Sequence, residues 1–258
     1  SDSKLSGPKI FWVTLLNATI TVAEFIGGML SGSLALLTDA THNLSDTAAL
    51  ALSYFTNRIA QKPRDAKKTF GYKRAEIIAA FINASVLLAI SAVLIFEAIK
   101  RLRQPEPIDG PLMLTVAVIG LLANLFSVLL LKKDSHHNLN IKSSYLHLIS
   151  DTVSSVGVIA GGIVISLWGV VWVDPLITFL ISIFIISKAW NVILKTIDIL
   201  MQSAADLDYD VIKADIEAIP KVNNIHHVHS WMSNENTVYF EAHIDMENIT
   251  VSEAEVIY

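Results

Sequence analysis

A chain of 258 residues in which 53% are hydrophobic and only 17% charged is too apolar for an ordinary soluble domain and long enough for several membrane crossings. The net charge of -5 is small, and the absence of a basic, aromatic-interleaved surface gives nucleic-acid binding no support. With no cysteine there are neither disulfides nor thiolate metal sites, so any metal must be held by nitrogen and oxygen.

Six apolar runs are long enough to span a bilayer. The first is 10–30, and it is a full span in length, longer than the apolar core of a cleaved signal peptide. The second is 33–57, separated from the first by the tight turn Ser31-Gly32-Ser33, which predicts an antiparallel hairpin. The third is 75–99. After a break at Pro105, Pro107, Gly110 and Pro111 the fourth covers 112–131. The fifth is 143–168, and the sixth 175–197, with Asp174-Pro175 as its start signal.

Basic residues orient these spans. The second-to-third loop carries Arg58, Lys62, Arg64, Lys67, Lys68, Lys73 and Arg74, and the fourth-to-fifth loop Lys132, Lys133 and Lys142. The positive-inside rule puts both loops, and with six spans both termini, in the cytoplasm. Lys100, Arg101 and Arg103 form a smaller cluster on the opposite side.

Beyond about residue 200 the pattern changes. Residues 207–219 are polar with apolar positions at helical spacing, 224–231 and 238–246 are rich in strand formers, and 251–258 begins another helix. The expected architecture is therefore an α-helical membrane protein: a segment 1–9, a six-helix transmembrane domain 10–200 and a partial α+β domain 201–258. About fifty residues bury little core alone, so a further helix and strand are expected to complete that domain.

The chemistry is concentrated in two apolar runs. His42 and Asp46 are four apart in GSLALLTDATHNLSD, and His147 and Asp151 repeat the spacing in HLISD. On a helix each pair lies on one face, one residue above the other. Two imidazoles and two carboxylates are the donor set and number of a tetrahedral zinc site. An Asp at mid-membrane depth costs on the order of 3 kcal/mol, so the two aspartates together demand compensation. Helix-packing hydrogen bonds are the alternative account, and the repeated order and spacing favours metal over it. Nitrogen and oxygen ligands suit Zn2+, with Co2+, Cd2+ or Ni2+ as substitutes, and disfavour Cu(I), Mg2+ and Ca2+.

Asp39 lies seven residues before Asp46, and three roles fit it: a cation way-station, a helix-end cap, or an outer acceptor behind a ligand. Glu24 is the candidate for the permeation path among the other embedded polar residues, which include Asn17, Asn83, Glu97 and Asn124. In the tail, His226, His227, His229, His243 and Asp245 fall on the two strands, and strict alternation sets His226 apart from His227 and His229.

The segments GGMLSGSLALLTDATHNLSD, TFGYKRAEI, LNIKSSYLHLISDTVSSVGVI, the VDP before the last span and IHHVHSW, in this order, resemble the cation diffusion facilitator family in its zinc-exporting, CzcD-like branch. The resemblance covers nearly the whole chain. It implies a homodimer of six-span protomers in the lipid bilayer and a midplane metal site between the second and fifth helices. It also implies a ferredoxin-like, metallochaperone-like cytoplasmic domain, exchange of metal for protons and, for a bacterial protein, the inner membrane. Within that domain it favours His226 and His243 as metal ligands. Where relatives place loop histidines around TFGY, this chain has Lys68 and Tyr72, so no loop metal site is expected although Asp65 remains. His136 and His137 are read as part of a solvated loop.

The expected function is zinc/proton antiport, exporting Zn2+ by alternating access through His42, Asp46, His147 and Asp151. A zinc-binding membrane sensor or scaffold without transport is the alternative. An intramembrane metallohydrolase would need an open zinc position, and the sequence has no HExxH. Bis-histidine haem ligation would leave the paired aspartates without a role. No enzymatic activity is expected.

Overall fold

The computed structural model describes residues 3–132 and 139–254, of which 3–11, 13, 14, 50, 130–132 and 139–150 are described by backbone alone. His136 and His137, and the side chain of His147, thus lie outside the described residues. Two compact units are formed, one from 1–55 with 79–193, the other from 56–78 with 194–258.

Six long helices run as α1 (Ser3–Ser31), α2 (Leu34–Ala60), α3 (Arg74–Arg103), α4 (Gly110–Lys132), α5 (Leu139–Trp168) and α6 (Val173–Leu200). They match the six expected spans. Among the described residues, four stretches are long and apolar enough to cross a membrane by length and composition alone: α3, 110–129 of α4, 151–168 of α5, and α6. The apolar stretch of α1 with described side chains is Leu15–Ser31. α2 falls short because 38–47, TDATHNLSDT, puts eight polar residues in ten into its middle.

The first unit is helical, and among the described residues two apolar clusters form its core. Ala35 and Leu36 of α2, Met113 and Ala117 of α4, and Val158 and Ile165 of α5 pack together. Ala84 and Leu87 of α3 pack with Ile185, Ala189 and Ile193 of α6. Their exposed faces are apolar as well, including Val93, Phe96, Leu122 and Leu180, as lipid-facing surfaces are.

The α1–α2 turn is fixed from three directions. Gly32 has φ +74°, a conformation that glycine adopts without a Cβ penalty. Arg101 donates to its carbonyl at 2.5 Å, and the Asp109 amide donates to the Ser31 carbonyl at 2.9 Å. Arg101 also pairs with Glu97 and Glu106, so this basic residue on the sparsely charged side has a structural task.

Asp174 stands in the first turn of α6, as expected of a start signal, and does more than that. Its carboxylate accepts from Ser33 Oγ at 2.5 Å and from the Leu34 and Ala35 amides at 2.8 and 3.2 Å. It therefore satisfies the open N-terminus of α2, a neighbouring helix, where the positive end of the helix dipole favours a carboxylate.

The second unit contains α7 (Tyr209–Glu217), β1 (Val222–Asn234), β2 (Thr237–Met246) and α8 (Val251–Ala254). Asp208 caps α7 by accepting from the Val211 amide. The strands form an antiparallel hairpin in which His226 faces His243 and Trp231 faces Tyr239. The loop between α2 and α3 packs on this hairpin. Phe70 meets the rings of Trp231 and Tyr239 edge-on at 6.3 and 5.5 Å, Lys73 donates to Thr237, and Asn234 donates to Glu76.

Candidate metal centre

Helix periodicity brings His42 and Asp46 onto one face of α2, and His42 Nδ1 lies 3.5 Å from Asp46 Oδ2. From α5, Asp151 Oδ1 comes within 3.9 Å of His42 Nε2. One ligand atom from each of the three residues lies within 4.8 Å of the others. A zinc tetrahedron with bonds of roughly 2.0–2.2 Å has edges of roughly 3.3–3.6 Å, so small side-chain adjustments suffice to close on an ion. His147 stands on α5 one turn before Asp151; its side chain is outside the described residues.

Burial is graded along α2. The side chains of His42 and Asp151 are 7% and 5% exposed, whereas Asp46 is 28% exposed. On the N-terminal side, Leu34, Ala35, Leu36, Thr38, Asp39 and Ala40 are all buried. The centre is thus closed toward the α1–α2 turn and reached from the Asp46 side.

Asp39 does not join the cluster of ligand atoms. Its Oδ1 accepts from Ser154 Oγ at 2.6 Å and its Oδ2 from Ser155 Oγ at 3.0 Å. Both serines stand one turn beyond Asp151, so the pair of bonds ties the ligand-bearing turn of α5 to α2. Asp39 is the sixth residue of α2, inside the helix, which removes the helix-end cap from its three candidate roles.

Glu24 is 1% exposed. Its Oε2 accepts from Asn43 Nδ2 at 3.3 Å, and Asn43 is the residue next to His42. Asn83 donates to Ser45, an interhelical bond of the kind expected for it.

In the tail the backbone overrides strict alternation. Register shifts between His226 and His229, and His227 sits at φ +49°, a left-handed conformation within the bulge. His227 is thereby turned toward His226 and His243, correcting the expectation that it lies on the opposite side. The three rings are 4.9–5.6 Å apart, and one ligand nitrogen from each lies within 4.8 Å of the others. Asp245 Oδ2 is 3.5 Å from His226 Nδ1. His229 lies apart from them, lining a cavity of about 540 Å³ with Asp210 and Phe240.

Asp65, the loop carboxylate, is occupied by hydrogen bonds. It accepts from Tyr72 Oη at 2.5 Å and from the amides of Lys67 and Lys68 at 2.8 and 2.7 Å. The Tyr72 hydroxyl, then the Lys68 and Lys67 amides, hold its carboxyl below the ordinary value, and the same bond pushes the Tyr72 phenol up.

Sequence reasoning missed Ser154, Ser155, Asn43 and the reach of Asp174. The serines had a signal, lying three and four residues after Asp151 and so on its face.

A profile of the cation efflux transmembrane domain matches residues 10–201, and one of the cation efflux protein cytoplasmic domain matches 204–258. The chain is 37% identical to the metal cation efflux system protein CzcD of Cupriavidus metallidurans over 243 residues, which is 94% of this chain and 77% of that protein. It is 42% identical to the zinc transporter ZitB of Pectobacterium atrosepticum over 224 residues, 86% of this chain and 70% of that one. It is 40% identical to a cadmium, cobalt and zinc/H(+)-K(+) antiporter of Bacillus subtilis over 241 residues, 92% and 77% respectively.

Proposed function

The chain belongs to the cation efflux family, a multi-pass integral membrane protein of transporter rather than enzyme type, and on that premise we propose that it exports Zn2+ from the cytoplasm in exchange for protons. The observation that carries this is the meeting of His42, Asp46 and Asp151 in a largely buried centre on two apolar-flanked helices. His147, one turn from Asp151, supplies the fourth ligand. Cd2+ and Co2+ are accepted by the same donors, as the name of the Bacillus relative states for that protein.

Imidazole and carboxylate bind zinc only when deprotonated, with reference pKa values of about 6.5 and 3.9. Metal and protons therefore compete for the same atoms, and that competition becomes exchange once the centre opens alternately to the two sides. The basic loops support a cytoplasmic position for both termini and residues 201–258, across the inner membrane in a bacterial cell. The access from the Asp46 side then faces the cytoplasm, the loading side of an exporter.

Charge decides the stoichiometry. Two protons per zinc are electroneutral, and one pH unit supplies about 2.8 kcal/mol, roughly a hundredfold zinc gradient. With one proton, at 100 mV inside negative, the entering proton gains about 3.7 kcal/mol while the leaving dication costs about 4.6 kcal/mol. We assign two.

Asp39 is a positioning residue that fixes the Asp151 turn, and Glu24 belongs to the pathway. His226 and His243, joined by His227, hold a second zinc in the tail. The match of 204–258 to a cytoplasmic domain found in cation efflux proteins supports a homodimer.

The test is flux in proteoliposomes carrying a zinc dye and a pH dye inside. Zinc movement with opposite proton movement, lost in Asp46→Ala and Asp151→Ala, is expected. A parent that binds zinc and moves none would overturn transport in favour of the sensor or scaffold.

A further inference from the structure

The seam between α1 and α4 carries a second polar feature. A Cβ at Gly27 would meet Val116 at 2.7 Å, and one at Gly120 would overlap Glu24 Oε1. These two contacts fix the antiparallel register: residue 27 is level with 116 and residue 24 with 120. Continued two turns along, the same register sets Asn17 level with Ser127. Asn17, Thr21 and Glu24 stand at i, i+4 and i+7 on α1, and Gly120, Asn124 and Ser127 stand at i, i+4 and i+7 on α4. Each set occupies one helix face. The two stripes are therefore matched in level over about 10 Å of helix.

Thr21, Glu24, Asn124 and Ser127 are all at least 96% buried. Polar stripes of this kind ordinarily serve as interhelical glue, their side chains bonding one another. Here they do not. Asn17 Oδ1, Glu24 Oε1, Asn124 Nδ2 and Ser127 Oγ are each buried with no hydrogen-bonding partner among the described residues. Four such atoms in one seam are too costly to leave unsatisfied, and their spacing and mixed donor and acceptor character suit bridging water.

One end of the seam reaches α2 at the level of the metal centre, because the other oxygen of Glu24 accepts from Asn43, the residue after His42. Asp39 on α2 and Asp151 on α5 are close enough for their charges to act on Glu24. On the proposed topology the Asn17 end is cytoplasmic, as the N-terminal end of α1.

We propose that Glu24, Asn124, Ser127 and Asn17, with the water they hold, form a proton route along the α1–α4 seam, separate from the zinc entrance on the Asp46 side. It rests on the reading of the protein as a zinc/proton exchanger. When zinc enters, protons displaced from the ligands pass to Glu24 and leave by O–H exchange through the bridging water and the Ser127 hydroxyl, while the Asn124 and Asn17 amides orient that water, with no redox change and no covalent intermediate. Zinc and protons then need not pass each other in one mouth.

The test compares two transport modes of the full-length protein in proteoliposomes. One is zinc/proton exchange, read with zinc and pH dyes. The other is zinc/zinc exchange, read with labelled zinc at equal pH on both sides, which requires no net proton movement. The double substitution Asn124→Leu with Ser127→Ala makes the seam apolar, while Asn124→Ser preserves its hydrogen bonding. The apolar variant is expected to slow zinc/proton exchange about tenfold or more and to keep zinc/zinc exchange near the parent rate. Asn124→Ser should keep both. A parallel fall in both modes, an unchanged proton exchange in the apolar variant, or an equal loss in Asn124→Ser would overturn the route. A parent that moves zinc without protons would instead overturn the exchanger reading, and the route with it.

Discussion

Ser33 donates its hydroxyl to Asp174 at 2.5 Å, joining the first turn of α6 to the residue that precedes α2, 141 positions earlier in the chain. With the Leu34 and Ala35 amides on the same carboxylate, one side chain satisfies the N-terminus of the helix that bears His42 and Asp46. Asp174→Ala leaves that N-terminus buried and open. The expected cost is about 1–3 kcal/mol, seen as a lower midpoint in thermal unfolding of the detergent-solubilised protein. Glu97→Ala, which removes a more exposed partner of Arg101, should move the midpoint far less.

Asp39→Asn keeps shape but weakens the grip on Ser154 and Ser155. Zinc affinity should fall about 10- to 100-fold, as when an outer hydrogen-bonding partner of a metal ligand is lost. Asp46→Ala and Asp151→Ala, which remove proposed ligands, should fall further. Equilibrium zinc titration by calorimetry orders the three; an Asp39→Asn loss equal to the ligand variants would make Asp39 a ligand itself.

Gly120→Ala drives a methyl group into Glu24. The expected destabilisation is about 1–3 kcal/mol, with loss of flux. Shortening the partner should relieve it: Gly120→Ala with Glu24→Asp should recover much of the stability that Gly120→Ala alone loses. Additive effects in that double-mutant cycle would mean the two residues do not share the space.

The α2–α3 loop has a calculable pH response. Asp65 is held below its ordinary value of 3.8, so its contribution to loop order is complete above that value and is lost as pH falls through the lowered one. Tyr72 is pushed above its ordinary value of 10.0, so its contribution is complete below 10.0 and lost as pH rises through the raised one. Hydrogen exchange of residues 65–71 should be flat in its protection across neutral pH and weaken at both extremes. Tyr72→Phe removes the largest cause of the Asp65 shift and should move the acid limb to higher pH.

His227 holds a left-handed conformation at a cost of roughly 1–3 kcal/mol. His227→Gly should therefore raise the stability of the tail hairpin in the absence of zinc, yet reduce the additional stabilisation that zinc gives. Thermal unfolding with and without zinc separates the two effects. Equal zinc stabilisation of parent and variant would remove His227 from the proposed tail site.

The six spans and the His-x-x-x-Asp pairs are legible because helix periodicity is a local property: His42 needs only α2 to be helical to stand over Asp46. Asp39 and Glu24 were legible as embedded polar residues and Asp174 as a helix start, but none of them in its full duty. Those duties are set by Ser154, Asn43 and Ser33, which come from distant parts of the chain and enter through packing alone. Gly120 carried no signal, since its meaning lies in the oxygen that fills its missing side chain. In the tail, alternation misplaced His227 because a bulge costs a strand its period, and nothing local to IHHVHSW marks one.

Phe70 packs on Trp231 and Tyr239, residues made about 160 positions later in synthesis, which at roughly 5–20 residues per second is a delay of roughly 8–32 s. Until then the loop that joins α2 to α3 has its own turn, stapled by Asp65, but no surface to rest on. Phe70 thus ties a segment from the first third of the chain to its last fifth, and the second compact unit closes only after all six long helices have been made. A ribosome stalled between residues 200 and 231 would carry the six long helices and an undocked loop.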